Sequence, residues 1–290
     1  MFGSLITAIV TPFTDDHRIH FDEALRLAQH LLDTGSDGLV VCGTTGESPT
    51  LTHQEEDELF AVMRRTFPTA CLIAGSGSNC TQTAIKATQA AEKRGMNGSM
   101  QVVPYYNRPS QEGLIAHFTA IANATSLPLM LYNIPARTGR NMTPETVATL
   151  ASIPSIVALK EAAGDCEQLK QMVELTPPSF LVYSGDDGMI IPFMAEGAVG
   201  VVSVAAHVVG REIRSIVDAM LQGNHSEAKQ QYARIHALVE ALFMEPNPTP
   251  LKYVLQQMGF QVGSPRLPLV PVQDATRRTL DTILATLSIG

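Results

Sequence analysis

Cysteine is scarce in this chain of 290 residues. There are four, Cys42, Cys71, Cys80 and Cys166, and no CxxC pair. A secreted scaffold stapled by disulfides is denser in cysteine, so reduced thiols in a cytoplasmic protein are expected. Charge is sparse as well, at 17% of residues, and 20 Lys and Arg stand against 28 Asp and Glu for a net charge of −8. No polybasic run occurs, which argues against nucleic acid or an anionic membrane surface as partner. Long apolar runs are missing too. The N-terminal stretch at 5–10 has no Lys or Arg before it and ends at Thr11-Pro12. It is too short for a signal core or a membrane span and reads as a buried strand. The eight histidines form no HExxH motif or Cys/His cluster, and GxGxxG, Walker and GxSxG motifs are absent. Asp186-Asp187 is a weak divalent-ion candidate, more naturally a helix cap.

What remains is 45% hydrophobic, enough for a large core. Short, β-branched-rich apolar runs begin near Ser4, Gly38, Cys71, Gly98, Pro128, Ile156, Phe180 and Val199. None alternates with polar residues, as expected of parallel strands buried on both faces. Helical patterns lie between them. FDEALRLAQHLLD places its apolar residues on one face, and Thr52 with Glu55 forms a capping box ahead of a helix that ends in Arg64 and Arg65. Thr143-Pro144, Ser110 and Asp165 are further start signals. Eight βα units predict an α/β fold, a (β/α)8 TIM barrel, at residues 1–223. Helical segments near 208–221, 226–243, 250–258 and 273–287 suggest that 224–290 form a C-terminal helical extension, with a turn at EPNPTP. An open doubly wound sheet is the weaker alternative.

In a barrel, chemistry sits at the C-terminal ends of the strands. Five of the six lysines, Lys252 among them, fall in helix-like, polar surroundings; Lys160 alone follows a strand run. Burial there favours the neutral amine, the form that attacks a carbonyl; a buried ion pair is the structural alternative. Tyr132 ends the preceding strand, where it is either a proton carrier beside Lys160 or a core tyrosine. Gly43-Thr44-Thr45-Gly46-Glu47 is either an anion-binding turn or a plain βα turn. Arg137, in the loop past Pro135, is a carboxylate clamp or a solvated arginine. Tyr106, in Tyr105-Tyr106-Asn107, joins a proton relay or covers the mouth.

The combination of TPF (11–13), GTTGES (43–48), PYYNRPSQEG (104–113), LYNIPARTG (131–139), LKEAAGD (159–165), SGDD (184–187), GVVSV (200–204) and EPNPTPLK (245–252) resembles the dihydrodipicolinate synthase family of pyruvate-dependent class I aldolases. The strings span nearly the whole chain in the family's order. The resemblance implies a homotetramer that condenses pyruvate with L-aspartate 4-semialdehyde to give 4-hydroxy-tetrahydrodipicolinate. It implies Lys160 as the Schiff-base residue, Tyr132 as proton donor and acceptor, and Thr44 as the link to Tyr106 of a neighbouring subunit. Thr45, with backbone near Val202 and Gly185, would line the pyruvate site, and Arg137 would hold the semialdehyde carboxylate. No metal or organic cofactor is implied, because the lysine iminium is itself the electron sink. The doubled threonine, the YYN string and Arg137 point away from sibling lyases of N-acetylneuraminate and other sugar acids. Ser48, His53, Asn79 and Tyr105 fit a lysine-feedback site. Glu56 and Thr83 stand where sensitive members carry histidine and glutamate, so weak inhibition is expected.

Overall fold

The computed structural model describes residues 2–287. Among them eight strands appear: β1 (Leu5–Ala8), β2 (Gly38–Val41), β3 (Cys71–Gly75), β4 (Gly98–Val102), β5 (Leu129–Asn133), β6 (Ile156–Glu161), β7 (Leu181–Ser184) and β8 (Val201–Ser203). All pair in parallel in chain order, and β8 returns to β1 to close the barrel. Each strand falls within one of the eight apolar runs. The runs do not alternate because each strand feeds two cores. Ile6, Val40, Ile73, Met130, Ala158 and Val202 pack together as the barrel interior. Their neighbours Leu5, Leu39, Leu72, Leu131, Leu159 and Val201 belong to the larger core shared with the helices.

The surrounding helices are α1 (Phe21–Asp33), α2 (His53–Thr66), α3 (Thr81–Lys93), α4 (Gln111–Ala122), α5 (Pro135–Thr138), α6 (Pro144–Ala151), α7 (Cys166–Leu175), α8 (Ile190–Ala195) and α9 (Ala206–Leu221). Their starts follow the chemistry read from the sequence. Thr52 accepts from the Glu55 backbone N–H while the Glu55 carboxylate accepts from the Thr52 backbone N–H, a complete capping box. Ser110, Thr143 and Asp165 each accept from a first-turn N–H of α4, α6 and α7. One element differs from expectation. Arg137 lies in the one-turn helix α5 and not in an open loop, because Pro135 presets the first helical φ and Gly139, at φ 71, stops the turn.

The C-terminal region holds α10 (His225–Ala241), α11 (Thr249–Gln257) and α12 (Asp274–Thr286). The junction read at 223 falls in the turn between α9 and α10, at Gly223. α10 packs along α9, α11 also reaches α9, and α12 covers α10 and α11. Among the described residues, no helix is long and apolar enough to cross a membrane.

Candidate active site at the barrel mouth

Strand parity places the chemistry. Ala158 belongs to the interior cluster, so Lys160, two residues along β6, points the same way. Only 4% of Lys160 is exposed. The β5–β6 register sets Tyr132 directly beside it, with Lys160 Nζ 4.3 Å from the centre of the Tyr132 ring. Burial lowers the Lys160 ammonium to about 8; Asp187 opposes that fall and Arg137 adds to it. Burial pushes the Tyr132 phenol up to about 12, against the Arg137 charge and a hydrogen bond with the Thr44 side chain. At neutral pH the phenol is therefore protonated, while the amine gives up its proton far more readily than an exposed lysine.

The neighbours make room for this pair. A side chain at Gly185 would put its Cβ 3.0 Å from Lys160 Cγ and 2.8 Å from Ala162 Cβ, so glycine leaves space for the lysine stem. The Gly185 N–H donates to the Glu161 carbonyl at 2.7 Å. Val202 packs in the same interior cluster as Tyr132. Asp187, buried below, accepts from Ser203 Oγ at 2.5 Å and from the N–H groups of Val204 and Ala205, both at 2.8 Å. It thus ties β8 to the loop after β7, while Asp186 caps the short turn that follows. Glu161 faces the helix layer, where it accepts from Asn133 Nδ2 at 2.9 Å and from the Ala163 N–H at 2.6 Å. Burial raises its carboxyl to about 7. Among the described residues, no three His, Cys, Asp or Glu side chains converge as a metal site.

A cavity of about 450 Å³ opens above the barrel, lined by Thr44, Tyr132 and Arg137 and, further along, by Ser48, His53 and Glu56. It brings together Thr44, Tyr132 and Arg137 as the sequence suggested. Thr45 is buried and does not line the cavity. Tyr106 is not brought to Thr44 within the chain: 90% of it is exposed, at a left-handed φ of 70. Tyr105 lines the cavity, and its carbonyl accepts from Asn79 Nδ2 at 3.2 Å.

In the cavity Glu56 accepts from Ser48 Oγ at 2.8 Å and sits 3.0 Å from His53 Nδ1. Burial raises its carboxyl pKa. Lys252, read as a lysine in polar surroundings, is instead 1% exposed, with its Nζ 2.6 Å from Glu47 Oε1. Its helical neighbours in TPLKYVL include Leu251, Val254 and Leu255, all buried. That apolar setting was a signal available in the sequence.

This arrangement defines a class: a (β/α)8 barrel that keeps a desolvated lysine and a protonated phenol side by side at its C-terminal mouth. Comparison with known proteins narrows it. Residues 1–287 match the model of the dihydrodipicolinate synthetase family, and the chain belongs to that family. The 4-hydroxy-tetrahydrodipicolinate synthase of Synechococcus elongatus is 51% identical over 290 residues, covering 99% of this chain and 97% of that protein. The enzyme of the same name from Thermosynechococcus vestitus is 50% identical over 290 residues, covering 99% of this chain and 98% of that one. Among solved structures, DHDPS from Cyanidioschyzon merolae with lysine bound is 46% identical with a TM-score of 0.98, covering 100% of this chain and 99% of that one.

One lysine ammonium should titrate near pH 8 in ¹⁵N-lysine spectra, well below the exposed ones, and its signal should vanish in Lys160→Met. Lys160 titrating with the exposed lysines would contradict the burial described here.

Proposed function

We propose that this lyase condenses pyruvate with L-aspartate 4-semialdehyde to form 4-hydroxy-tetrahydrodipicolinate. The observation that carries the reading is the buried Lys160 amine beside Tyr132, whose side chain lines one cavity with Thr44 and Arg137. The neutral amine attacks the pyruvate ketone, and loss of water gives an iminium. That cation makes the methyl protons acidic, and removal of one gives an enamine carbon nucleophile. The enamine adds to the aldehyde carbon of the semialdehyde, whose own amine then displaces Lys160 and closes the ring. Tyr132 gives and takes protons in these steps. Its pKa of about 12 keeps it protonated and makes it a weak acid on its own, so the relay through Thr44 to a further tyrosine serves to spread the charge as its proton moves. Thr45, with backbone at Gly185 and Val202, holds the pyruvate carboxylate, and Arg137 meets the carboxylate of the semialdehyde.

Tyr106 completes the relay from a neighbouring subunit of a homotetramer. Its near-full exposure and left-handed backbone support this, since a large aromatic held out on a strained loop has little to gain in a lone chain. The enzyme works in the cytoplasm, a reading supported by its free thiols.

A coupled assay should show turnover with pyruvate and the semialdehyde and none with a panel of sugar acids. The amine must be neutral to attack and is protonated below its pKa. kcat/KM for pyruvate should therefore fall about tenfold per pH unit well below 8 and level off above it. Turnover of sugar acids with indifference to the semialdehyde would reassign the enzyme to a sibling activity.

The end of the cavity lined by Ser48, His53 and Glu56 supports weak inhibition by L-lysine, with the Glu56 carboxylate as the partner for an ammonium and Thr83 supplying none. Glu56→Gln should raise the half-inhibitory lysine concentration at least tenfold, the loss expected when a partly buried charge partner is removed. Equal inhibition of both proteins would sink that assignment.

A further inference from the structure

The loop carrying Thr44 and Thr45 is held by residues that never reach the cavity. It runs between two non-glycine residues in the left-handed region, Cys42 (φ 59) and Glu47 (φ 56). Such backbone persists only where the surroundings impose it. At Glu47 they come from the far end of the chain. Glu47 Oε1 lies 2.6 Å from Lys252 Nζ on α11, and Oε2 accepts from the Arg266 N–H at 2.9 Å. The Lys252 ammonium also sits 4.1 Å from the centre of the Phe13 ring, a second cation contact that keeps it in place. Nearby, Asn247 donates from Nδ2 to Thr45 Oγ1 at 2.9 Å, across 202 residues of sequence, and both side chains are buried. A third hold comes from Thr11, whose hydroxyl donates to the Gly46 carbonyl at 2.6 Å.

The Asn247 contact has a direction. An amide NH₂ only donates, so the Thr45 hydroxyl must accept. Its own proton is then left to point elsewhere. The Glu47–Lys252 pair has a complementary effect. Two charges excluded from water hold each other strongly in place, because separating them leaves both unsolvated.

We propose that Asn247 and Lys252 are positioning residues for pyruvate. Lys252 fixes the loop backbone through Glu47. Asn247 occupies a lone pair of Thr45, so that the hydroxyl proton is presented to the substrate carboxylate. The inference rests on the reading that Thr45 holds that carboxylate. It makes the C-terminal helical region a working part of the pyruvate site, although no residue of that region touches the substrate.

Steady-state kinetics on the full-length enzyme test it. Asn247→Ala should raise KM for pyruvate about three- to tenfold, the loss of one buried hydrogen bond. kcat and KM for the semialdehyde should stay within twofold, whereas mere destabilisation lowers the active fraction and therefore kcat. In a Thr45→Val background, Asn247→Ala should add nothing, because the group it acts through is gone. Lys252→Met should raise KM for pyruvate more than tenfold. If that variant is insoluble, Glu47→Gln/Lys252→Met, which leaves no lone buried charge, takes its place and should also raise it. Folded Asn247→Ala with wild-type KM for pyruvate overturns the inference, as does full additivity with Thr45→Val. If the wild-type enzyme does not turn over pyruvate at all, the reading of the previous subsection fails and this inference falls with it; wild-type turnover with unaltered variants removes the inference alone.

Discussion

Desolvation of a single ammonium group is the constraint on which the site depends. A lysine in water is protonated and useless as a nucleophile near neutrality. Here the strand geometry carries Lys160 into the barrel interior, among Ala158, Tyr132 and Val202, where the charged form is penalised and the pKa falls to about 8. The barrel does this with backbone alone: in-register pairing of β5 and β6 fixes which phenol lies beside which amine. Asp187 moderates the effect. Its charge favours the ammonium and keeps the amine from being displaced further. The same carboxylate holds the start of the β8 loop through Ser203, Val204 and Ala205, so one buried acid serves both electrostatics and shape.

The second buried lysine shows the opposite solution to the same problem. Lys252 is as thoroughly removed from water as Lys160, yet it meets a carboxylate at 2.6 Å and an aromatic face at 4.1 Å. A buried pair of this kind contributes little net stability, but breaking it is costly, on the order of 3–5 kcal/mol. Such a pair therefore suits fixing a loop more than strengthening a fold. The unpaired amine lies at the mouth and the paired one lies behind the loop, which separates the group that reacts from the group that holds.

Most of the fold was legible in the sequence for a physical reason. A strand buried on both faces must be apolar at every position, so eight unalternated runs translate directly into eight parallel strands. The capping box at Thr52 and Glu55 is equally local and appears as read. The core of the candidate site was legible for the same cause: Lys160 stands out because a charged residue at the end of IVAL has no solvated alternative. What stayed hidden was long-range. The Asn247–Thr45 contact joins residues 202 apart, and no periodicity encodes it. The burial of Lys252 was legible only locally, in its apolar neighbours Leu251, Val254 and Leu255, while its partner Glu47 lies far away in the sequence. Arg137 was placed in a loop because one helical turn is too short to leave a pattern.

The central claim is that Lys160, and no other amine of the chain, captures a keto acid. Borohydride reduction in the presence of pyruvate, followed by mass spectrometry of the digested protein, reads that directly. A reduced pyruvyl adduct on the peptide containing Lys160, absent from Lys160→Ala, is the predicted result. An unmodified Lys160 peptide, or an adduct carried instead by Lys252, would contradict the account.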